Sequence, residues 1–243
     1  MRAFFEDNSI LAFFTDRHGG VSKVPYESLN VSDSVEDKPS DIIKNRQIIA
    51  DNNDFLLENM VYMEQIHSAN IKIVTNSFVS KIRGCDGIIT DKIKIPLMTM
   101  AADCAPVLVY DKGKKIIAAL HSGRVGTFKG VISAAIYKMR INFGSLQEDI
   151  VVHVGPSIAK CCYEIDESIA NFTIKNFGSK YISSKNNKYF LDIKSIIKEQ
   201  LISLKLLEKN IRISDICTSC DKNCFSYRRD GLTGRFCGII MLK

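Results

Sequence analysis

The sequence predicts a fold of the α/β (α+β) class, a single layered domain in which mixed β-sheets are flanked by helices. Short apolar runs end in loops rich in Gly, Pro, Asn and Asp, which is typical of buried strands. Longer segments between them carry apolar residues at helical spacing. The 243 residues contain no internal repeat and no Pro/Gly/Ser linker long enough to separate domains. We therefore expect one domain over residues 1–243.

The predicted elements follow from these patterns and from turn and capping residues. Predicted strands cover residues 10–14, two segments within 60–75, a short segment after Asp86-Gly87, residues 107–110, a segment ending near residue 122, and residues 150–154. Predicted helices run from Ser40 or Asp41 to about residue 51, from a Thr127 cap to Gly144, over 167–177 and over 192–207. Residues 178–189 are expected to form a surface loop, and residues 216–243 to alternate strand and loop.

The composition indicates a globular protein with a sizeable core. Hydrophobic residues make up 46% of the chain and charged residues 25%, and charges interrupt every long apolar run. We expect no membrane partner. Acidic residues follow too soon after Met1 for a secretory signal, and eight Cys without such a signal favour reduced thiols. The expected location is cytoplasmic.

The formal net charge of +6 raises the question whether the protein binds nucleic acid or a small anion. Its basic residues are mostly Lys scattered among Asn and Ile, without a basic stripe interleaved with aromatics. Nucleic acid is therefore not the expected partner. A mildly basic surface with an anion-binding pocket fits better. No oligomeric state is predicted.

Three soft donors stand where apolar runs give way to loops: His67, Cys104 and His121. Two imidazoles and a thiolate suit zinc and leave a fourth position open for water or substrate. Taken singly, Cys104 is more often a buried small hydrophobe, and each histidine more often hydrogen-bonded and structural. His18 and His153 are interpreted as structural.

Several motifs together resemble one known family. They are Thr15-Asp16-Arg17-His18-Gly19-Gly20-Val21-Ser22, Leu29-Asn30, Gln65-Ile66-His67, Asp86-Gly87, Ala102-Asp103-Cys104-Ala105-Pro106-Val107, His121-Ser122-Gly123, Gly155-Pro156-Ser157-Ile158, Cys161-Cys162-Tyr163-Glu164, Phe225-Ser226-Tyr227-Arg228-Arg229-Asp230 and Thr233-Gly234-Arg235. In this order the chain resembles the YfiH-like family, also called laccase domain or polyphenol oxidase and more recently purine nucleoside phosphorylase. The resemblance covers nearly the whole chain.

The resemblance implies one layered α/β domain and one zinc ion held by His67, Cys104 and His121. It also implies phosphorolysis of adenosine, inosine, guanosine and methylthioadenosine, with orthophosphate as second substrate, and deamination of adenosine. Zinc would bring the pKa of bound water towards neutrality, which suits attack at C6 of adenine. One motif departs: the family usually reads His-Ala-Gly-Trp-Arg-Gly where this chain has His121-Ser122-Gly123-Arg124-Val125-Gly126. The Arg of the family motif is either lost here or displaced by one place to Arg124. If that Arg positions phosphate or base, we expect weaker or altered activity.

Candidate substrate residues follow from the anion that phosphorolysis requires. Arg17 beside the Gly19-Gly20 loop and the Arg228-Arg229 pair are the candidates for phosphate, and the Leu29-Asn30 motif adds Asn30. On the first strand of 60–75, Gln65 and His67 are expected to share a face. Asp103 is a candidate for proton transfer, although in a strand it would point away from Cys104.

Alternatives from other classes remain open. A metal-free cysteine hydrolase would use Cys104 as nucleophile with His121 or His67 as base. Copper is not the expected metal, because four histidines are too few for several coppers. Two His and a Cys with Met98 or Met100 could form one blue-copper site. A non-enzymatic role would leave nucleosides unchanged. Cys217-Thr218-Ser219-Cys220, with Cys224 and Cys237, could signal a second zinc, but the second pair is missing, so buried reduced thiols are expected.

Overall fold

The computed structural model describes residues 8–243, which contain fourteen strands and six α-helices. The strands are β1 Ile10–Phe14, β2 Val61–Met63, β3 Ile71–Ile73, β4 Lys81–Ile82, β5 Gly87–Thr90, β6 Leu97–Ala101, β7 Ala105–Asp111, β8 Ile116–Ser122, β9 Ile150–Val154, β10 Glu164–Ile165, β11 Ile182–Lys185, β12 Lys188–Leu191, β13 Ile211–Ile213 and β14 Phe236–Leu242. The α-helices are α1 Pro39–Asp51, α2 Arg124–Phe128, α3 Val131–Phe143, α4 Glu167–Asn176, α5 Ile193–Ser203 and α6 Tyr227–Asp230. The start of the chain, where acidic residues argued against a secretory signal, lies outside the described residues.

Two mixed sheets carry most of the strands. The five-stranded sheet has the order β1-β14-β6-β2-β4, and β2 runs parallel to both β6 and β4. The six-stranded sheet has the order β13-β9-β7-β8-β5-β3, with parallel pairs at both edges and antiparallel pairs between them. A small antiparallel sheet, β10-β12-β11, completes the described strands.

The two large sheets pack face to face, and helices cover their outer faces. Along β7, Leu108 and Tyr110 face the five-stranded sheet, whereas Val107 and Val109 face α3 and α5. This alternation explains why β7 and β8 are apolar throughout: both faces of each strand are buried. Each fully buried side chain of this kind contributes roughly 1.5–3 kcal/mol. The predicted mixed α/β layered fold is confirmed.

Helix α1 covers the other large sheet. Its Ile49 and Ala50 pack with Met98 of β6 and Ile239 of β14 on the face turned away from the six-stranded sheet. The order of layers is therefore helix, five-stranded sheet, six-stranded sheet, helices. No helix among residues 8–243 is long and apolar enough to cross a membrane.

Three predicted local features are wrong. Gln65 and His67 lie in the loop after β2, not on a strand. Thr127 lies inside α2 and does not cap α3. Helix α3 begins after Gly130, whose backbone is in the left-handed conformation. Residues 178–189 form a short 3₁₀ turn and most of the β11–β12 hairpin instead of a loop. The hairpin escaped detection because its exposed positions are Lys, Ser and Asn, which give no apolar alternation.

Candidate metal and substrate site

The candidate site lies where the ends of several strands from both large sheets meet. Cys104 immediately precedes β7, and His121 is the penultimate residue of β8. Because β7 and β8 are antiparallel and Pro106 pairs with His121, the start of one strand lies beside the end of the other. His67 reaches the same place from the loop after β2. The topology thus brings three distant residues to one corner.

The three donors face one another across a short gap. Their ligand atoms all lie within 4.8 Å of one another. The Cys104 Sγ is 3.7 Å from Nε2 of His67, and the two imidazole rings stand edge to face with centroids 4.8 Å apart. Two nitrogen donors and one sulfur donor at this spacing can hold a single zinc-sized ion with an open position.

Asp86, from the Asp86-Gly87 motif, organises this centre. It is fully buried and its carboxylate accepts five hydrogen bonds. The donors are the backbone amides of Ile66, His67 and Ser68 at 3.2, 3.0 and 2.6 Å, the Ser68 hydroxyl at 2.7 Å and Nδ1 of His121 at 2.8 Å. Because a carboxylate only accepts here, Nδ1 of His121 carries the proton, and Nε2 is left as its donor to an ion.

Two backbone features allow this close convergence. His67 adopts a left-handed conformation with φ of 57°, which is unfavourable for a residue with a Cβ. The amide hydrogen bonds to Asp86 hold the backbone there. Gly123 leaves room beside the donors: a Cβ at this position would lie 2.7 Å from the Cys104 Sγ and 2.9 Å from Cδ2 of His67.

Charge coupling sets the protonation of the donors. Burial alone would raise the pKa of Cys104, but the charges and hydrogen bonds of His121 and His67 lower it to about 6. Burial alone would lower the pKa of His121, but the Cys104 thiolate and Asp86 raise it to about 9. In the metal-free protein this favours a thiolate–imidazolium pair at neutral pH. A metal cation replaces the proton in such a centre.

A cleft of about 830 Å³ opens over these donors. Its volume lies within the range of small-molecule sites. The lining combines cationic, aromatic and small polar side chains. It includes Arg124, Arg228 and Arg235, Tyr163 and Tyr227, Ser32 and Ser122, and all three donors. The lining also includes Lys81 and the carboxylates of Asp33, Glu64 and Asp103, so the cleft offers four cationic side chains for an anion against three acidic ones.

Of the residues predicted for phosphate, Arg228 lines the cleft, whereas Arg17, Asn30 and Arg229 lie outside its lining. Arg17 forms ion pairs with Glu27 and Asp230 and stacks on Phe225. The buried Asn30 side chain accepts from the amide of Arg235 at 2.9 Å. Arg229 donates to loop carbonyls, including those of Thr218 and Cys224.

Asp103 also lines the cleft, but the expectation that it belongs to a strand is wrong. It lies in the bend between β6 and β7 with φ of 86°. One carboxylate oxygen accepts from the Thr218 hydroxyl and the other from the Arg228 amide, both at 2.6 Å. The contacts join the Cys104 loop to the segment that carries α6.

Three residues of the site were not among the predicted ones, although they lie in the motifs that carried the resemblance: Asp86, Tyr163 and Arg235. Arg235 precedes β14, whose first residue pairs with Ala101 at the end of β6. This pairing places Arg235 beside the Cys104 loop. A signal was present in each motif, but only the strand pairing shows that these motifs meet.

Comparison with known proteins identifies the family of the chain. Residues 11–243 match the family model described as multi-copper polyphenol oxidoreductase laccase. A purine nucleoside phosphorylase of Corynebacterium glutamicum is 33% identical, over 94% of this chain and 93% of that protein. The purine nucleoside phosphorylase YlmD of Bacillus subtilis is 31% identical, over 98% of this chain and 90% of that protein.

The chain belongs to this laccase-like family. Its fold also matches solved structures of the family. The hypothetical protein YfiH of Bacillus licheniformis superposes with a TM-score of 0.92 at 32% identity, covering 98% of this chain and 94% of that one. YlmD of Geobacillus stearothermophilus gives 0.91 at 30% identity, covering 97% and 93%. The predicted YfiH-like resemblance is confirmed.

Proposed function

We propose that this member of the laccase-like family is a zinc-dependent purine nucleoside phosphorylase. The observation that carries the proposal is the convergence of His67, Cys104 and His121 beneath a cleft lined by three arginines. The names of the relatives support the same reaction. The proposed products are the free purine and ribose 1-phosphate.

The donor set fits one zinc ion better than the several coppers in the family description. The chain has four histidines, and His18 bonds to Asn223 while His153 packs against Phe14. The His67, Cys104 and His121 donors would hold the ion, with Asp86 fixing the ring of His121. When bound, zinc supplies Lewis-acid polarisation and lowers the pKa of water. A reduced thiolate ligand also suits the cytoplasm, where we propose that the enzyme acts.

Orthophosphate would bind to the arginines of the cleft. Arg228 and Arg235 are the proposed phosphate ligands, and Arg124 at the start of α2 offers a third cation. A guanidinium group matches phosphate oxygens in a bidentate manner. Arg17, Asn30 and Arg229 stay predictions as phosphate ligands; their contacts favour a positioning role, since Asn30 holds the Arg235 amide.

The purine would lie against the aromatic side of the cleft. Tyr227 lies at the edge of the cleft and is 62% exposed. Tyr163 stacks against Arg228, with 5.6 Å between the guanidinium carbon and the ring centroid. Adenosine, inosine, guanosine and methylthioadenosine share the purine that these rings would contact. Deamination of adenosine at the same centre is the proposed second activity. Asp103 is proposed to position Arg228 through the backbone hydrogen bond.

The first test compares two exposed histidines in the full-length protein. His67→Ala should lose the ion and the phosphate-dependent release of hypoxanthine from inosine, because one of three donors is gone. His18→Ala should keep both, because His18 lies outside the cleft lining. Zinc content by elemental analysis and hypoxanthine release give the readouts. Equal zinc and turnover in both variants would reject the assignment of His67.

A metal-free cysteine hydrolase is the second candidate. A specific observation favours it: Cys104, His121 and Asp86 form a nucleophile, base and orienting carboxylate, with the Cys104 pKa at about 6. Omitting phosphate separates the two reactions. If the enzyme is a phosphorylase, the release of hypoxanthine from inosine should stop without phosphate and after chelation of the metal. If it is a cysteine hydrolase, its turnover should continue under both conditions and stop only when Cys104 is alkylated.

A further inference from the structure

Four cysteines from two loops form a cluster on the outer side of the cleft wall. Cys161 and Cys162 lie between β9 and β10, and Cys217 and Cys220 lie between β13 and α6. Strands β9 and β13 are parallel neighbours, so both loops leave the same edge of the sheet. An isolated bridge between Ser157 and Cys217 keeps the loops together beyond the strands.

The sulfur atoms are spaced as a tetrahedral thiolate site requires. All four lie within 4.8 Å of one another, with Cys162 and Cys161 Sγ at 3.3 and 3.7 Å from that of Cys220. Zinc–sulfur bonds of about 2.3 Å in a regular tetrahedron separate the sulfurs by roughly 3.8 Å. The separations of 3.3 and 3.7 Å lie just below this value and no other pair is more than 4.8 Å apart, so small side-chain rotations would complete the shell.

The surrounding backbone supports thiolates at these positions. The Ala159 amide donates to the Cys217 Sγ at 3.4 Å. The amides of Cys220 and Asp221 donate to the carbonyl of Cys217, which closes the tight turn of a Cys-x₂-Cys motif. The Lys194 ammonium, anchored on the carbonyls of Ser214 and Ile216, interacts electrostatically with Cys217 and Cys161. Such donors and charge offset part of the negative charge of a four-thiolate centre.

The expectation of buried reduced thiols for Cys217, Cys220, Cys224 and Cys237 is wrong in the burial of one of them, Cys220. Cys217, Cys224 and Cys237 are buried, but Cys220 and Cys161 are exposed. The second pair of the motif lies upstream of Cys217, at Cys161-Cys162, and not downstream. Hydrophobic packing accounts for buried thiols and not for two exposed ones beside two others. One disulfide would use two of the four sulfurs, whereas one ion would use all of them.

We propose that Cys161, Cys162, Cys217 and Cys220 bind a second, structural zinc ion. Four protein ligands close the coordination shell, so this ion takes no part in substrate chemistry. Its role is to join the two loops that build one wall of the cleft. Arg228 donates to the Cys162 carbonyl at 3.1 Å, and Thr218 donates to Asp103. The site therefore supports Arg228 and Tyr163 whatever reaction the cleft performs.

The proposed four-cysteine site is tested in the Cys104→Ala variant, in which the site formed by His67, Cys104 and His121 has lost one of its ligands. Cys104→Ala, purified with zinc under reducing conditions, should retain about one zinc per chain with four sulfurs at about 2.3 Å by X-ray absorption. Adding Cys220→Ser should remove that zinc, whereas adding Ser219→Ala in the same turn should leave it. Absence of zinc in Cys104→Ala, or equal zinc with and without Cys220→Ser, would overturn the proposal.

A second measurement needs no substitution. In zinc-loaded wild-type protein, iodoacetamide should spare Cys161 and Cys220, and chelation should expose both to alkylation, as mapped peptide by peptide. Equal alkylation before and after chelation would contradict the site. The proposed zinc site would also be contradicted if wild-type protein in reducing buffer had an intact mass lower by two hydrogens and a disulfide among these four cysteines.

Discussion

At the scale of single residues, Asp86 decides the geometry of the candidate active site more than any donor does. Its carboxylate fixes the backbone of the His67 loop through three amides and the ring of His121 through Nδ1. Burial alone would raise the pKa of Asp86, but hydrogen bonds from His121 and Ser68 lower it to about 2. The charged form is therefore part of the folded structure.

The charge of Asp86 makes stability depend on pH. Because its pKa falls from 3.8 to about 2 on folding, its contribution is complete above pH 4 and is lost as the pH falls through 2. The shift corresponds to about 2 kcal/mol. We expect the difference in unfolding free energy between wild type and Asp86→Asn to shrink by that amount between pH 5 and pH 2, measured by urea unfolding of metal-free protein.

Asp91→Asn is the matched control, since Asp91 is exposed and forms an ion pair with the neighbouring Lys92. Its effect on stability should stay within about 0.5 kcal/mol at every pH. A difference between wild type and Asp86→Asn that does not change with pH would show that the carboxylate charge contributes nothing to the fold.

At this scale the sequence identified the donors but not what holds them. His67, Cys104 and His121 were recognisable because their side chains bind metals and their motifs resemble a family. Asp86 also lies in a motif of the family, Asp86-Gly87, but the sequence does not show whether a carboxylate before Gly is buried among hydrogen-bond donors or exposed in a turn. Its role depends on contacts with residues 18 and 35 positions away.

At the scale of secondary-structure elements, Gly123 lets the end of β8 pass beside the His67 loop. Its backbone φ of −76° is accessible to alanine, so a substitution acts through the added methyl group alone. Gly123→Ala should push Cys104 and His67 apart and weaken zinc binding, while the melting temperature of the metal-free protein changes little. Zinc affinity by chelator competition and thermal unfolding test this; unchanged affinity would refute the steric argument.

Apolar patterning predicted the buried elements and failed where strands are exposed or helices are interrupted. The runs at β7 and β8 gave correct strands because both of their faces are buried, and those at β1 and β9 because buried apolar residues alternate or mix with half-buried ones. The exposed positions of the β11–β12 hairpin are polar. The predicted helix from Thr127 to Gly144 runs from the end of α2 through α3, which Gly130 separates. Which strands pair was not predictable, because pairing joins residues far apart in the chain.

At the scale of the whole molecule, the sheet sandwich holds the chemistry at one corner. The ends of β2, β6 and β8 and the starts of β7 and β14 meet there, so each contributes a loop to the cleft. The loops after β9 and β13 form a further wall. A rigid framework with functional loops at its edge is the usual arrangement of an enzyme site. The layered fold was predictable from the sequence, whereas this corner was not.

The most direct test of the central claim is an anomalous difference map from crystals of the wild-type protein, measured on both sides of the zinc absorption edge. The account predicts a peak between His67, Cys104 and His121, about 2.3 Å from Sγ and 2.0–2.1 Å from the two imidazole nitrogens. The account would be contradicted if zinc-loaded crystals gave no peak among these three side chains, or a peak too far from the Cys104 Sγ for a zinc–sulfur bond.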